Sequence, residues 1–217
     1  MNDYLAALHE ETSEDYTMLS IGDLMSGLLL LFALLFILAL MQIGELSEVR
    51  QQTRNKVLDT LEQEFRRAGV DVVITPDGEM VLPDRFFFDT GRYELKPEGA
   101  ARLQQIMPIF TRVVFAKPEF SEDIQRVVIE GHTSQSGDYV GNMNLSLQRA
   151  NTVLLFIAGL PDLPQRDALL SRLMGAGRGK IEAHAGEDER DRKVLIRLQF
   201  KSDEELLKQL AGALRTG

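Results

Sequence analysis

Hydrophobic positions are distributed unevenly along the chain, and their spacing changes character three times. Leu24 to Met41 is an apolar run without a charged residue, close to the roughly 20 residues that cross a hydrocarbon core of about 30 Å. The pattern predicts a membrane helix over residues 18–42. After it the chain turns polar but keeps a helical rhythm, with Leu58, Leu61, Phe65 and Ala68 at spacings of three and four and no Pro. Residues 43–69 therefore read as an amphipathic connecting helix, whose plainest role is a spacer reaching roughly 36 Å.

From residue 70 to 201 short strands alternate with helices. Val70 to Thr75 and Met80 to Leu82 flank Pro76-Asp77-Gly78, hairpin chemistry because Gly accepts the positive φ such a turn needs. Gly99 to Ala116 follows Pro97 with Leu103, Ile106, Met107 and Phe110 on one face, the signature of a helix. Arg126 to Glu130 and Val194 to Phe200 read as strands, and Leu147 to Gly159 as a buried helix with Ser146 at its cap. Strands separated by helices imply an α/β arrangement, an α+β sandwich with helices against one sheet face. Ser202-Asp-Glu-Glu205 has capping-box spacing ahead of Leu206, Leu207, Leu210 and Leu214, which predicts a last helix over residues 202–217.

Composition narrows the functional classes. A net charge of -9 argues against nucleic acid, whose binding depends on basic surface. The absence of cysteine removes disulfides, thiolate metal sites and cysteine nucleophiles. A signal peptide would need a basic n-region and a small-residue cleavage site. There is no Lys or Arg before Arg50, and Gln-Ile-Gly-Glu-Leu follows Met41, so the apolar run reads as a retained anchor. Residues 1–17 form an acidic tail.

Asp23 lies inside the predicted membrane helix, five residues after Met18, with Ser20 and Ser26 on its helical face at i-3 and i+3. Gly22 and Ser26, four apart, form a small-xxx-small spacing that lets two such helices approach. An ionised carboxylate in hydrocarbon costs about 2.5–3.5 kcal/mol on insertion scales. It is expected to be protonated, paired or in a hydrated path, which suits binding and releasing a cation, either H⁺ or Na⁺. The alternative is a span beginning at Leu24, with Asp23 as a first-turn acid at the interface.

Gly131-His132-Thr133, Gly137, Asn142, Leu145-Ser146 and Arg149-Ala150 form a spaced constellation. Upstream lie Phe88-Asp89, Leu95, Pro97, Gly99 and Leu103; downstream lies Arg192-Lys193-Val194. In this order they resemble the motifs of OmpA-like peptidoglycan-binding domains over about residues 70–200. The resemblance implies that Asn142, Leu145 and Arg149 line a pocket for the diaminopimelate of the peptide stem, with Arg149 on its carboxylate. Ser134 stands where the family usually has Asp, which implies weaker or altered contact with an ammonium group.

An Asp-bearing span ahead of such a domain resembles the MotB class of stator subunits. Ile21-Gly-Asp-Leu-Met-Ser-Gly-Leu-Leu-Leu-Leu-Phe32 is most similar to the ZorB family of Zorya anti-phage systems. The resemblance implies a non-enzymatic single-pass inner-membrane protein, N-terminus cytoplasmic and domain periplasmic. It further implies a homodimer inside a ring of MotA-like (ZorA-like) subunits that conducts ions past Asp23, with no cofactor. The alternatives are a flagellar-type stator subunit or a non-conducting peptidoglycan tether. Arg50, Arg54 and Lys56 after the span would by themselves favour a cytoplasmic C-terminal domain; the peptidoglycan-type domain overrides them.

Three other patterns carry less. Glu130 and His132 share a strand face, but a metal site lacks a third ligand nearby. His132, Ser134 and Asp138 crowd one loop without a nucleophile elbow. Gly175-Ala-Gly-Arg-Gly179 lacks the Lys-Ser/Thr ending of a phosphate loop and reads as a turn.

Overall fold

The computed structural model describes the backbone of residues 2–201 except Glu187, and the side chains of residues 22–41 and 51–201 except Glu119 and Glu187. The expected C-terminal helix over 202–217 lies outside the described residues. The chain divides into two compact units, residues 1–51 and 52–217.

The first unit is helical. Helix α1 runs Asn2–Arg67, so the segment read as an acidic tail is helical from Asn2. Within it, Gly22–Met41 is a stretch of 20 residues apolar enough and long enough to cross a membrane, about 30 Å at the helical rise. Its leucines and phenylalanines are exposed, as a lipid-facing helix requires.

The second unit is built on a five-stranded sheet in the order β1-β2-β5-β3-β4. Strands β1 (Val73–Ile74) and β2 (Glu79–Pro83) form the hairpin around Pro76-Asp77-Gly78. Strand β3 is Ile124–His132, β4 Leu173–Gly179 and β5 Lys193–Phe200. β5 pairs antiparallel with β2 and β3, while β4 pairs parallel with β3 at the edge. Short helices α2 (Asp84–Phe87), α4 (Pro118–Ser121) and α6 (Arg166–Leu170) fill connections. The two long helices are α3 (Pro97–Ala116) and α5 (Tyr139–Ala158).

Alternation sorts the sheet into two faces. Val127, Ile129, Ile196 and Met80 join Leu103, Met107 and Phe110 of α3 and Val153 and Ile157 of α5 in one core. Val57, Leu61 and Phe65 of α1 belong to the same core, at 0%, 1% and 2% exposure. The end of α1 is therefore a structural member of this unit and not only a spacer. The opposite face carries Glu79, Glu130, His132 and Arg197.

Two sequence expectations are corrected here. Gly175–Gly179 is part of β4, paired with β3, and not a turn. Its glycines serve close packing: a Cβ on Gly177 would lie 2.6 Å from Leu147 Cγ and Ser146 Oγ, and one on Gly131 would run into the Ser146 carbonyl oxygen. α5 thus rests on the backbone of β3 and β4, an approach only glycine permits. Secondly, α5 begins at Tyr139, eight residues before Leu147, because Asp138 caps it by accepting from the Gly141 N–H at 2.9 Å. Ser146 is interior to the helix; its hydroxyl donates to the Met143 carbonyl and accepts from the Gly179 N–H.

Candidate functional site

The early start of α5 puts Asn142, Leu145 and Arg149 on one helical face at i, i+3 and i+7. Asn142 is buried, and its amide donates to the Ser136 and Asp138 carbonyls at 2.7 and 3.0 Å. It ties the loop after β3 to the first turn of α5. Ser134 lies buried in that loop, and Leu145 is half-buried.

Arg149 is the largest fully buried side chain, at 1% exposure. Its NH1 lies 3.1 Å from Asp84 Oδ1, its Nε donates to the Arg92 carbonyl at 2.9 Å, and its NH2 donates to the Asp89 carbonyl at 3.4 Å. The Phe88 ring centroid is 5.2 Å from the guanidinium carbon. The charge is enclosed by α2 and by the exposed segment Asp89–Glu94. With α5 starting at Tyr139 rather than after Ser146, Arg149 lies in the middle of its helix and not in the first turn.

Asp84 was not singled out by the sequence, although Pro83 ahead of it is a fair helix-start signal. Asp84 is buried, at 5% exposure. Burial pushes its pKa up, against the lowering influence of Arg149, Arg192 and Lys96. Beside it opens a cavity of about 370 Å³ lined by Asp84, Phe88, Asp89, Lys96, Arg192 and Lys193 among others. Lys96 holds Asp89 at 3.2 Å and Arg192 holds Glu189 at 3.3 Å. The cavity wall thus comes from the β2–α2 junction and the start of β5; Arg149 stands behind it, through Asp84. Asn142, Leu145 and Ser134 are not among its lining residues.

The pair Glu130 and His132 does have a third neighbour. Glu182, which sequence spacing could not place, brings its carboxylate within 4.8 Å of both. Arg178 Nε lies 3.1 Å from Glu130 Oε1 and 3.7 Å from Glu182 Oε1, and Arg197 NH2 lies 3.4 Å from Glu130. Guanidinium groups already supply the positive charge a cation would bring, so the cluster is an ion-pair network on the sheet. Burial alone would raise the Glu130 pKa, but hydrogen bonds with His132 and Arg178 and the charges of Arg197 and Arg178 lower it from 4.5 to about 2. A carboxyl whose pKa falls on folding adds stability above its unfolded value and loses it as pH falls. Acid unfolding followed by far-UV circular dichroism should therefore steepen between about pH 4.5 and pH 2. Glu130→Gln should flatten that part of the curve, and an unchanged acid limb would show the network to be without weight.

In the membrane helix, Asp23 is the second residue of the apolar stretch and is exposed. The Ser26 hydroxyl donates to the Gly22 carbonyl at 2.7 Å, so it is held by its own helix. The Ser20 side chain lies outside the described residues.

Residues 87–193 match the OmpA family. The chain is 24% identical over 196 residues to the Zorya protein ZorB of Escherichia coli O139:H28, across 84% of this chain and 79% of that one. Its structure is similar to that of a MotB-like protein from Desulfovibrio vulgaris, with TM-score 0.51 and 18% identity over 70% of this chain and 93% of the other. The periplasmic domain of Helicobacter pylori MotB matches with TM-score 0.45 and 14% identity over 67% and 89%.

Proposed function

We propose that this chain, a homologue of ZorB with an OmpA-like domain, is a stator-type subunit of an ion-driven membrane motor that acts in anti-phage defence. The observation that carries the reading is the order of parts on one chain. An apolar helix of 20 residues with an acid at its start precedes a domain whose residues 87–193 match the OmpA family. The similarity to ZorB covers 84% of the chain.

In this reading the chain crosses the inner membrane once, with its N-terminus in the cytoplasm and its domain in the periplasm. Two copies stand within a ring of MotA-like, ZorA-like subunits, and H⁺ or Na⁺ passes at Asp23, with Ser20 and Ser26 as polar neighbours. The domain holds peptidoglycan and keeps the pair from turning with the ring. Lys96, Arg192 and Lys193 make the cavity beside Asp84 a place for a peptide carboxylate, because charge-assisted hydrogen bonds are the strong ones. Arg149 fixes that wall from behind, while Asn142, Leu145 and Ser134 shape the adjoining face of α5 and its loop. The protein is not an enzyme in this scheme: the chain positions and anchors, and the electrochemical gradient does the work.

The test of anchoring is sedimentation of the detergent-extracted full chain with purified peptidoglycan. The chain is expected in the pellet, and Arg192→Glu, which reverses one charge on the cavity wall, is expected to shift most of it to the supernatant. A wild-type chain that stays in solution would remove the anchoring function. One observation speaks for the competing reading, a tether that conducts nothing: Asp23 is only the second residue of the apolar stretch. Asp23→Asn separates the two, since a tether would tolerate it.

A further inference from the structure

Helix α5 contains one charged residue, Arg149, and that residue is buried. Its outer face presents Val140, Asn144, Leu147, Gln148, Asn151 and Leu155, with the three apolar members 64%, 45% and 60% exposed. The chain as a whole is 26% charged, so a stripe of about four helical turns without one charge is a marked departure. Single exposed apolar residues are ordinary. A continuous stripe depleted of charge is the composition of an interface core.

The stripe also has a symmetry that names its occupant. The positions mirror one another about the midpoint between Leu147 and Gln148: Val140 mirrors Leu155, Asn144 mirrors Asn151, and Leu147 mirrors Gln148. Two such helices crossing antiparallel on a two-fold axis at that midpoint bring every residue onto its mirror. Val140 then meets the partner's Leu155 at both ends, apolar on apolar. Asn144 meets the partner's Asn151, and an amide offers both a donor and an acceptor, so identical groups satisfy each other. Isologous pairing demands this self-complementarity. An unrelated partner would give no reason for it.

We infer that α5 pairs antiparallel with α5 of a second copy, about a two-fold axis at Leu147 and Gln148. The surface assigned here rests on the pairing of two copies proposed above, but not on ion conduction or peptidoglycan binding. It leaves the cavity beside Asp84 unobstructed by its own residues, since none of the stripe lines that cavity.

The chain has no cysteine, so introduced thiols report contact without background. In membranes carrying the full chain, Gln148→Cys should give a disulfide-linked dimer on mild oxidation, because it lies beside the axis. Val140→Cys alone should not, since its two copies stand about 22 Å apart along the pair at 1.5 Å per residue. Val140→Cys co-expressed with a differently tagged Leu155→Cys chain should link. Leu155→Glu in the Gln148→Cys background should reduce linking at least about tenfold, as an unpaired carboxylate is buried. Linking by Val140→Cys alone would keep a pair of copies but overturn this surface. No linking at any of these positions, or equal linking by the control Gln105→Cys at an exposed position of α3, would overturn it as well. A single-copy mass in detergent would remove the pairing itself.

Discussion

Arg149→Ala should lower the melting temperature of the full chain by on the order of 10 °C, from a loss of about 3–5 kcal/mol. The reason is what the truncation leaves behind. Asp84, 5% exposed, loses the guanidinium 3.1 Å away, and the carbonyls of Arg92 and Asp89 lose a donor. Removing one partner of a buried pair is costly because the other charge stays in low dielectric. The Asp84 pKa is already raised by burial even with Arg149 present. Without Arg149 it should rise further. An acid whose pKa rises on folding destabilises the fold once pH exceeds that pKa and not below its unfolded value. The gap between Arg149→Ala and the parent should therefore narrow as pH falls from neutral toward about 4.

Because that variant tests stability and binding together, the double variant Asp84→Asn, Arg149→Gln is the informative companion. Removing both charges of a buried pair is often close to neutral, so most of the lost stability should return. If the double variant melts near the parent yet no longer sediments with peptidoglycan, the guanidinium is needed for the ligand. If it sediments normally, Arg149 is a brace of the pocket wall and not a contact. A single variant as stable as the parent would show that the enclosed guanidinium carries none of the fold.

How much of this was legible beforehand follows from what each element shows in one dimension. The hairpin at Pro76-Asp77-Gly78 and the helix after Pro97 were readable because turn and cap chemistry is local. β3 and β5 were readable from their apolar and alternating runs. β4 was not, because Gly175, Gly177 and Gly179 have no side chains with which to show alternation. Their reason is the backbone of α5 lying against them, a contact across the fold. The first two turns of α5 were missed because Tyr139-Val-Gly-Asn-Met-Asn144 is rich in turn formers, and the cap at Asp138 outweighs them. The spaced motif singles out Arg149, Asn142 and Leu145 but says nothing of what surrounds them. Asp84 and Glu182 reach their partners 65 and 52 residues away from Arg149 and Glu130, distances no local pattern encodes. The ion-pair network around Glu130 was half seen for that reason: the shared strand face of Glu130 and His132 follows from alternation, its closure by Arg178 and Glu182 does not.

Asp23→Asn should abolish ion-dependent function while leaving the amount of chain in the membrane unchanged. Asparagine keeps the size of the side chain but cannot gain or lose a proton, and it costs less to insert than an ionised carboxylate. Insertion and pairing should therefore be untouched, so the loss would report the charge alone. One elementary charge moved through the membrane potential releases about 2.3 kcal/mol per 100 mV, and a neutral amide offers that charge no exchangeable site. The Ser26 hydroxyl, which donates to the Gly22 carbonyl at 2.7 Å, cannot substitute, since it carries no charge. The measurement is cation flux into vesicles containing the chain with its multi-span partner, run in H⁺ and in Na⁺ gradients, beside protection of cells against phage. Asp23→Glu, which retains a titratable group one methylene further out, should keep part of the flux. Full flux and protection with Asp23→Asn would reduce the acid to a first-turn residue at the membrane interface, where it favours the helix dipole, and the chain to a tether.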